Sequence, residues 1–225
     1  MIPYTKPKAV LLFGPPGAGK GTIGSMICAA GNHYHLSSGQ IFRGLPPESK
    51  SGEEFYKYAS QGKLLPDKIT VEIWWRYTQG LINTNRFYPS QQLFLLDGLP
   101  RTVEQVKLIE EHVDVIHVIV LQIHDEKEVF RRISRRAKIE KRLDDADQDV
   151  ITNRLKEYRE KTRLVLDHYD PDIISYFNAE QTPMEVLRDV LVGCTHVLKQ
   201  MPRLVPSDRR IVTEPPPPKM KDLPS

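Results

Sequence analysis

Apolar residues gather into short unbroken runs, AVLLF at 9–13, LFLL at 93–96 and VIHVIVL at 115–121, each followed by a stretch of helical spacing. Runs apolar at consecutive positions predict strands buried on both faces, and their alternation with helices predicts a parallel sheet covered on both sides. After the first run, Ile23, Met26, Ile27 and Ala30 predict one helical face; after the second, Thr102, Val103, Val106 and Ile109 begin another. Shorter runs, YHLSS at 34–38 and DIISYF at 172–177, bring the expected strands to five. The expected fold is α/β, a doubly wound five-stranded parallel sheet flanked by helices, with ligands at the loops that leave the C-terminal ends of the strands. Trp74, Trp75, Tyr77 and Leu81 predict a helix packed on the core, and His117 reads as a buried strand histidine with a satisfied ring.

Two segments interrupt this alternation, residues 39–66 and the basic stretch 131–145, and both read as insertions that move as units. Beyond residue 200 the periodicity ends. The stretch 202–225 carries seven prolines, including EPPPP at 214–218, and reads as a disordered appendage or as a polyproline segment that docks on a partner.

The composition, 40% hydrophobic and 27% charged over 225 residues, fits one soluble globular domain. No apolar run approaches the ~20 residues of a membrane span. The N-terminus lacks the apolar region of a signal peptide, so a cytoplasmic protein is expected. Cys28 and Cys194 lie far apart in helix-like patterns and read as reduced core thiols. Of the net charge of +3, residues 202–225 hold five basic and three acidic side chains, leaving 27 against 26 elsewhere. That balance argues against a nucleic-acid binder.

The loop after the first run changes the picture. Gly14 to Lys20, in VLLFGPPGAGKGT, fits G-x-x-x-x-G-K, in which backbone N–H groups and a helix N-terminus surround phosphate oxygens and the lysine adds a full charge. The bland alternative is a glycine-rich turn. Gly21 stands where such loops carry a Ser or Thr, and Thr22 follows one step late, so a metal would lean on another acid. Asp97, ending LFLLD, is placed to hold Mg²⁺ or its waters; the alternative is an Asp-Gly turn, against which Pro100 argues. Between Lys127 and Arg142 stand eight basic and two acidic residues, readable as a solvated face, a nucleic-acid patch or a phosphate clamp. Arg132 and Arg136 lie one helical turn apart, on one face.

GPPGAGKGT at 14–22, LSSGQIFR at 36–43, QGKLLPD at 61–67, DGLPRTVEQ at 97–105 and KRLDD at 141–145 together resemble the adenylate kinase family in order and spacing, over about residues 8–198. The resemblance implies a P-loop domain over 1–200 with a monophosphate-binding insertion at about 38–67, a short lid at about 132–145 and a separate tail at 201–225. It implies transfer of the γ-phosphoryl group of ATP to AMP, with Mg²⁺ and without zinc, by a monomer whose partners are ATP, AMP and ADP rather than nucleic acid or membrane. Gly17, Ala18, Gly19, Lys20, Gly21 and Thr22 match ATP-binding positions, as does Gln181 through its carbonyl. Ser38, Arg43, Lys63, Leu64, Leu65, Gly98, Arg101 and Gln105 match AMP-binding positions, with Gln105 reading adenine. Arg132, Arg136, Arg142 and Arg154 match the arginines around the transferring group; Arg136 also touches the ATP base, and Arg142 and Arg154 also serve AMP.

Some positions stay open. Thr102 and Gln105 in TVEQ also fit a helix capping box, which would tie the amide to the backbone. The related UMP/CMP kinases usually carry Asn where Thr102 stands, and such a kinase is one alternative. Asp144 and Asp145 could hold lid arginines or cap a helix. Gln40 replaces the family's usual Asp, Leu99 its usual Phe, and AKIEKR at 137–142 lacks the lid glycines. One extra residue separates Asp145 from Arg154. These departures suit a further alternative, a nucleotide-binding interaction module with weak activity.

Overall fold

The computed structural model describes residues 6–140 and 148–200. Arg142, Asp144, Asp145 and the proline-rich tail lie outside the described residues. Five strands, β1 (Lys8–Phe13), β2 (Tyr34–Ser37), β3 (Phe94–Asp97), β4 (Asp114–Gln122) and β5 (Ile174–Asn178), form one sheet in the order β2-β3-β1-β4-β5. Every pairing is parallel, as the continuous apolar runs require. Successive residues of β1 supply opposite faces: Ala9, Leu11 and Phe13 join one core layer with Trp74, Phe94, Leu96 and Ile109. Val10 and Leu12 join the other with Ile23, Ile27, Leu95 and Val190.

Helices α1 (Lys20–Gly31), α2 (Ser38–Arg43), α3 (Lys50–Ala59), α4 (Asp67–Asn83) and α5 (Val103–Glu110) precede β4. They are followed by α6 (Glu126–Glu140), α7 (Gln148–Glu157), α8 (Pro183–Gly193) and α9 (Thr195–Leu198). The segment 39–66 carries α2 and α3, and the described part of the basic stretch is α6. A third cluster, Val129, Ile133, Ile151 and Leu155, joins α6 to α7.

The buried face of α1 is Ile23, Gly24, Ile27 and Cys28, while Ala30 is exposed, in contrast to the face expected from apolar residues alone. The reason is steric: a Cβ at Gly24 would stand 2.6 Å from the His35 ring, so the helix lies on the sheet at its glycine. In α4, Trp74 and Leu81 are buried with Val71 and Thr78, but Tyr77 is 43% exposed. His117 is buried as expected, its Nε2 3.0 Å from Ser175 Oγ. Cys28 and Cys194 are free buried thiols, and burial raises both, to about 12 and about 11. Among the described residues no helix is long and apolar enough to cross a membrane.

Leu95 of β3 is fully buried in the layer that holds Val10 and Leu12. Leu95→Ala should lower unfolding free energy by ~2–5 kcal/mol through lost burial and a residual cavity, read from urea unfolding curves. A loss under ~1 kcal/mol would show that the neighbouring helices collapse into the gap.

Candidate functional site

Strand order decides where the candidate residues meet. The chain leaves β1 for the sheet edge at β2, steps back to β3 beside β1, then crosses to β4 on the other side. The register sets Asp97 beside Leu12 of β1 and beside Ser37 of β2, so three loops leave the sheet together at its C-terminal edge. Their residues and those of α6 and α7 line a cleft of about 940 Å³.

The first of these loops closes against α6. Gly17 has φ +86°, and a Cβ there would lie 3.2 Å from Ile133 Cγ1 and 3.3 Å from the Val129 carbonyl. Both the turn and the approach of α6 therefore call for glycine. Helix α1 starts at Lys20 with no acid in its own first turn, so its positive end faces the cleft, where the Asp97 carboxylate lies near Gly21. Lys20 Nζ donates to the carbonyls of Gly14 at 2.8 Å and Pro15 at 3.0 Å. Gly17, Ala18, Gly19, Gly21 and Thr22 line the same end of the cleft.

Asp97 ends β3, 92% buried, where the apolar run predicts it. Burial pushes its carboxyl up, but His35, Lys20 and Arg101 outweigh that and hold it below the usual range. His35 Nε2 lies 3.8 Å away, longer than a hydrogen bond, so its attraction is electrostatic. A single ionised carboxylate fits Mg²⁺, which keeps several waters and takes few protein ligands when phosphates are present. Thr22 is exposed on α1, one position past Gly21.

The next loop holds Gly98 at φ +82°, where a Cβ would fall 2.6 Å from Ser38 Oγ. The Gly98 carbonyl accepts from Ser38 Oγ at 2.9 Å and from Arg101 Nε at 2.8 Å, which ties the start of α2 to the guanidinium. Thr102 caps α5, its hydroxyl accepting from the Gln105 N–H at 3.1 Å, half of the capping box. The other half does not form: Gln105 Oε1 accepts from the Arg101 N–H at 2.7 Å, one residue before the cap. Ser38, Arg43, Lys63, Leu64 and Leu65 line this end of the cleft, where Asn153 of α7 donates to the Gln61 carbonyl at 3.3 Å.

Across the cleft, Arg132 Nε donates to Glu128 Oε1 at 2.6 Å and its Nη1 to the Ala179 carbonyl at 2.7 Å. Glu128 also takes a forked bond from Arg131, and these bonds hold its carboxyl well below the usual range. Glu128 lines the cleft without having been singled out from the sequence, although its spacing to Arg131 and Arg132 is that of helix ion pairs. Arg136 and Arg154 also line the cleft. Gln181 does too, its Nε2 donating to Asp189 Oδ2 at 2.9 Å.

Comparison with known proteins fits this geometry. The family model described as adenylate kinase matches residues 12–174. An adenylate kinase of Azobacteroides pseudotrichonymphae is 34% identical over 70% of this chain and 81% of its own. The enzyme of Prochlorococcus marinus (strain MIT 9313) is 36% identical over 71% and 83%, and that of a Synechococcus species 32% over 81% and 93%. The chain belongs to the adenylate kinase family. As a member of that family it is a P-loop α/β protein, and the order of its site loops follows from that fold.

Lys20 offers a test of the electrostatics. Burial lowers its ammonium to about 8; Asp97 opposes this, while Arg101, Arg136 and Arg154 add to it. The unfolded chain holds that proton up to about 10.5. From pH 8 to 10.5 the unfolded state therefore binds more protons, so this group makes stability rise with pH there and leaves it level below. The stability difference between wild type and Lys20→Met should accordingly shift in favour of wild type across pH 8–10.5, measured by urea midpoints. A difference constant with pH would mean that Lys20 is solvated in the fold.

Proposed function

We infer that the protein catalyses reversible phosphoryl transfer from MgATP to AMP, giving two ADP. The observation that carries this reading is the convergence of Lys20, Asp97, Arg101, Arg132, Arg136 and Arg154 on one cleft with a donor end at the first loop and an acceptor end at α2 and α5. Phosphoryl transfer asks a protein to position two anions that repel each other and to neutralise charge in flight, work that fixed cations suit.

In this reading Lys20 exchanges the carbonyls of Gly14 and Pro15 for the outer phosphate oxygens of ATP, whose full charge makes the stronger acceptor. Arg43 and Arg101 hold the acceptor phosphate, the latter oriented by the bond from its Nε to Gly98. Ser38, Lys63, Leu64, Leu65 and Gly98 surround AMP, and Gln105 meets its base. Arg132, Arg136 and Arg154 bear on the group in transfer, joined by Arg142, and Gln181 lies by the donor base. Asp97 would hold Mg²⁺ through water, and the metal supplies charge neutralisation at the phosphates.

Lys20→Ala should lower kcat by ~10²-fold or more in a folded protein, as removal of an electrostatic stabiliser does; retained turnover would remove the role given to this lysine. ADP formation from MgATP with AMP, CMP, UMP and GMP offered separately should show strong preference for AMP. A preference for CMP or UMP would make the chain a pyrimidine monophosphate kinase. ATP binding without turnover on any acceptor would make it an interaction module, with Gln40 in the cleft lining as the first place to look.

A further inference from the structure

Behind the acceptor end of the cleft lies a hydrogen-bond chain that these roles leave unused. Gln105 Oε1 accepts from the Arg101 N–H at 2.7 Å, while Gln105 Nε2 donates to Asp67 Oδ1 at 2.8 Å. The same Oδ1 accepts from the Thr102 hydroxyl at 2.9 Å. Asp67 opens α4 and is not itself among the residues lining the cleft, whereas Gln105 is.

A glutamine amide ordinarily has two orientations of similar shape, related by a flip that exchanges donor and acceptor. Here the two ends are chemically distinct. An ionised carboxylate accepts and cannot donate, so it fixes the nitrogen end; a backbone N–H donates and cannot accept, so it fixes the oxygen end. A flipped amide would set N–H against N–H at Arg101 and oxygen against oxygen at Asp67. Beyond these bonds the amide retains one N–H and one lone pair, a donor and an acceptor with which to meet a base. Gln105 is 1% exposed, so water does not compensate a mismatch there.

We propose that Asp67 is a positioning residue for acceptor choice: by holding Gln105 in one amide orientation it admits the 6-aminopurine edge, a ring acceptor beside an amino donor, and rejects the 6-oxopurine edge, where the two are interchanged. This rests on the reading of Gln105 as the group that meets the base. Thr102 takes part through the same carboxylate, since its hydroxyl is spent on Asp67 and on the Gln105 N–H.

The test compares kcat/KM for AMP and for IMP, whose base has the interchanged edge, in wild type, Asp67→Ala, Asp67→Asn and Gln105→Leu, with KM for ATP measured alongside. In Asp67→Ala the flip loses one of its two penalties, so the preference for AMP over IMP should fall at least ~10-fold with KM for ATP unchanged. Asp67→Asn keeps an accepting oxygen and should retain more of the preference than the alanine variant. If Asp67→Ala does not fold, Asp67→Ser, too short to reach Nε2, carries the same expectation. A wild-type preference in the alanine or serine variant, or an equal loss on AMP and IMP as a merely structural role would give, overturns the proposal. Gln105→Leu separates the two layers. If it keeps the preference, the base-reading role of Gln105 is wrong; if it loses the preference while Asp67→Ala does not, Asp67 alone is wrong.

Discussion

Arg101, Arg136 and Arg154 stand close enough to Lys20 in one cleft to lower its ammonium, and that repulsion is the constraint on which the rest of the site depends. Backbone carbonyls are among the groups that hold these cations. Lys20 rests on the carbonyls of Gly14 and Pro15, Arg101 on that of Gly98, and Arg132 partly on that of Ala179, all in loops that follow strands. A carbonyl dipole holds a cation but yields to a phosphate oxygen with full charge, so Lys20 can pass from its two carbonyls to an anionic ligand. Arg132 is held by both kinds of partner, the Glu128 carboxylate and the Ala179 carbonyl. Asp97 is the buried carboxylate at the centre, where a divalent cation would screen it.

This gathering of charge depends on sheet topology more than on any one contact. Because β3 lies beside β1, Asp97 falls level with the end of the strand that feeds the phosphate loop. Because β2 lies beyond β3, Ser38 reaches the Gly98 carbonyl from a position 60 residues away. The hydrophobic layers fix that order, and the chemistry follows at the strand ends.

Much of this was legible in the chain. Strands buried on both faces leave unbroken apolar runs, so β1, β3 and β4 stand out, and a glycine-rich loop before a helix announces phosphate binding. What stayed hidden depends on approach distances and on long-range pairing. Gly24, with no apolar side chain to register, faces the sheet in place of Ala30. Gln105 shows its capping spacing in the sequence, yet its amide partners are Arg101 and a carboxylate 38 residues earlier, a pairing that local pattern does not encode. Glu128 was visible at helix ion-pair spacing to two arginines and needed only to be read that way.

The close seat of α6 on the phosphate loop limits where this protein can exchange parts with its relatives. Val129 and Ile133 are buried and sit against Gly17, so the first half of α6 packs with the phosphate loop rather than standing apart from it. A lid transplanted from another family member would have to be spliced after Ile133. A junction placed at Glu126, where the helix begins, would remove the side chains that pack on Gly17.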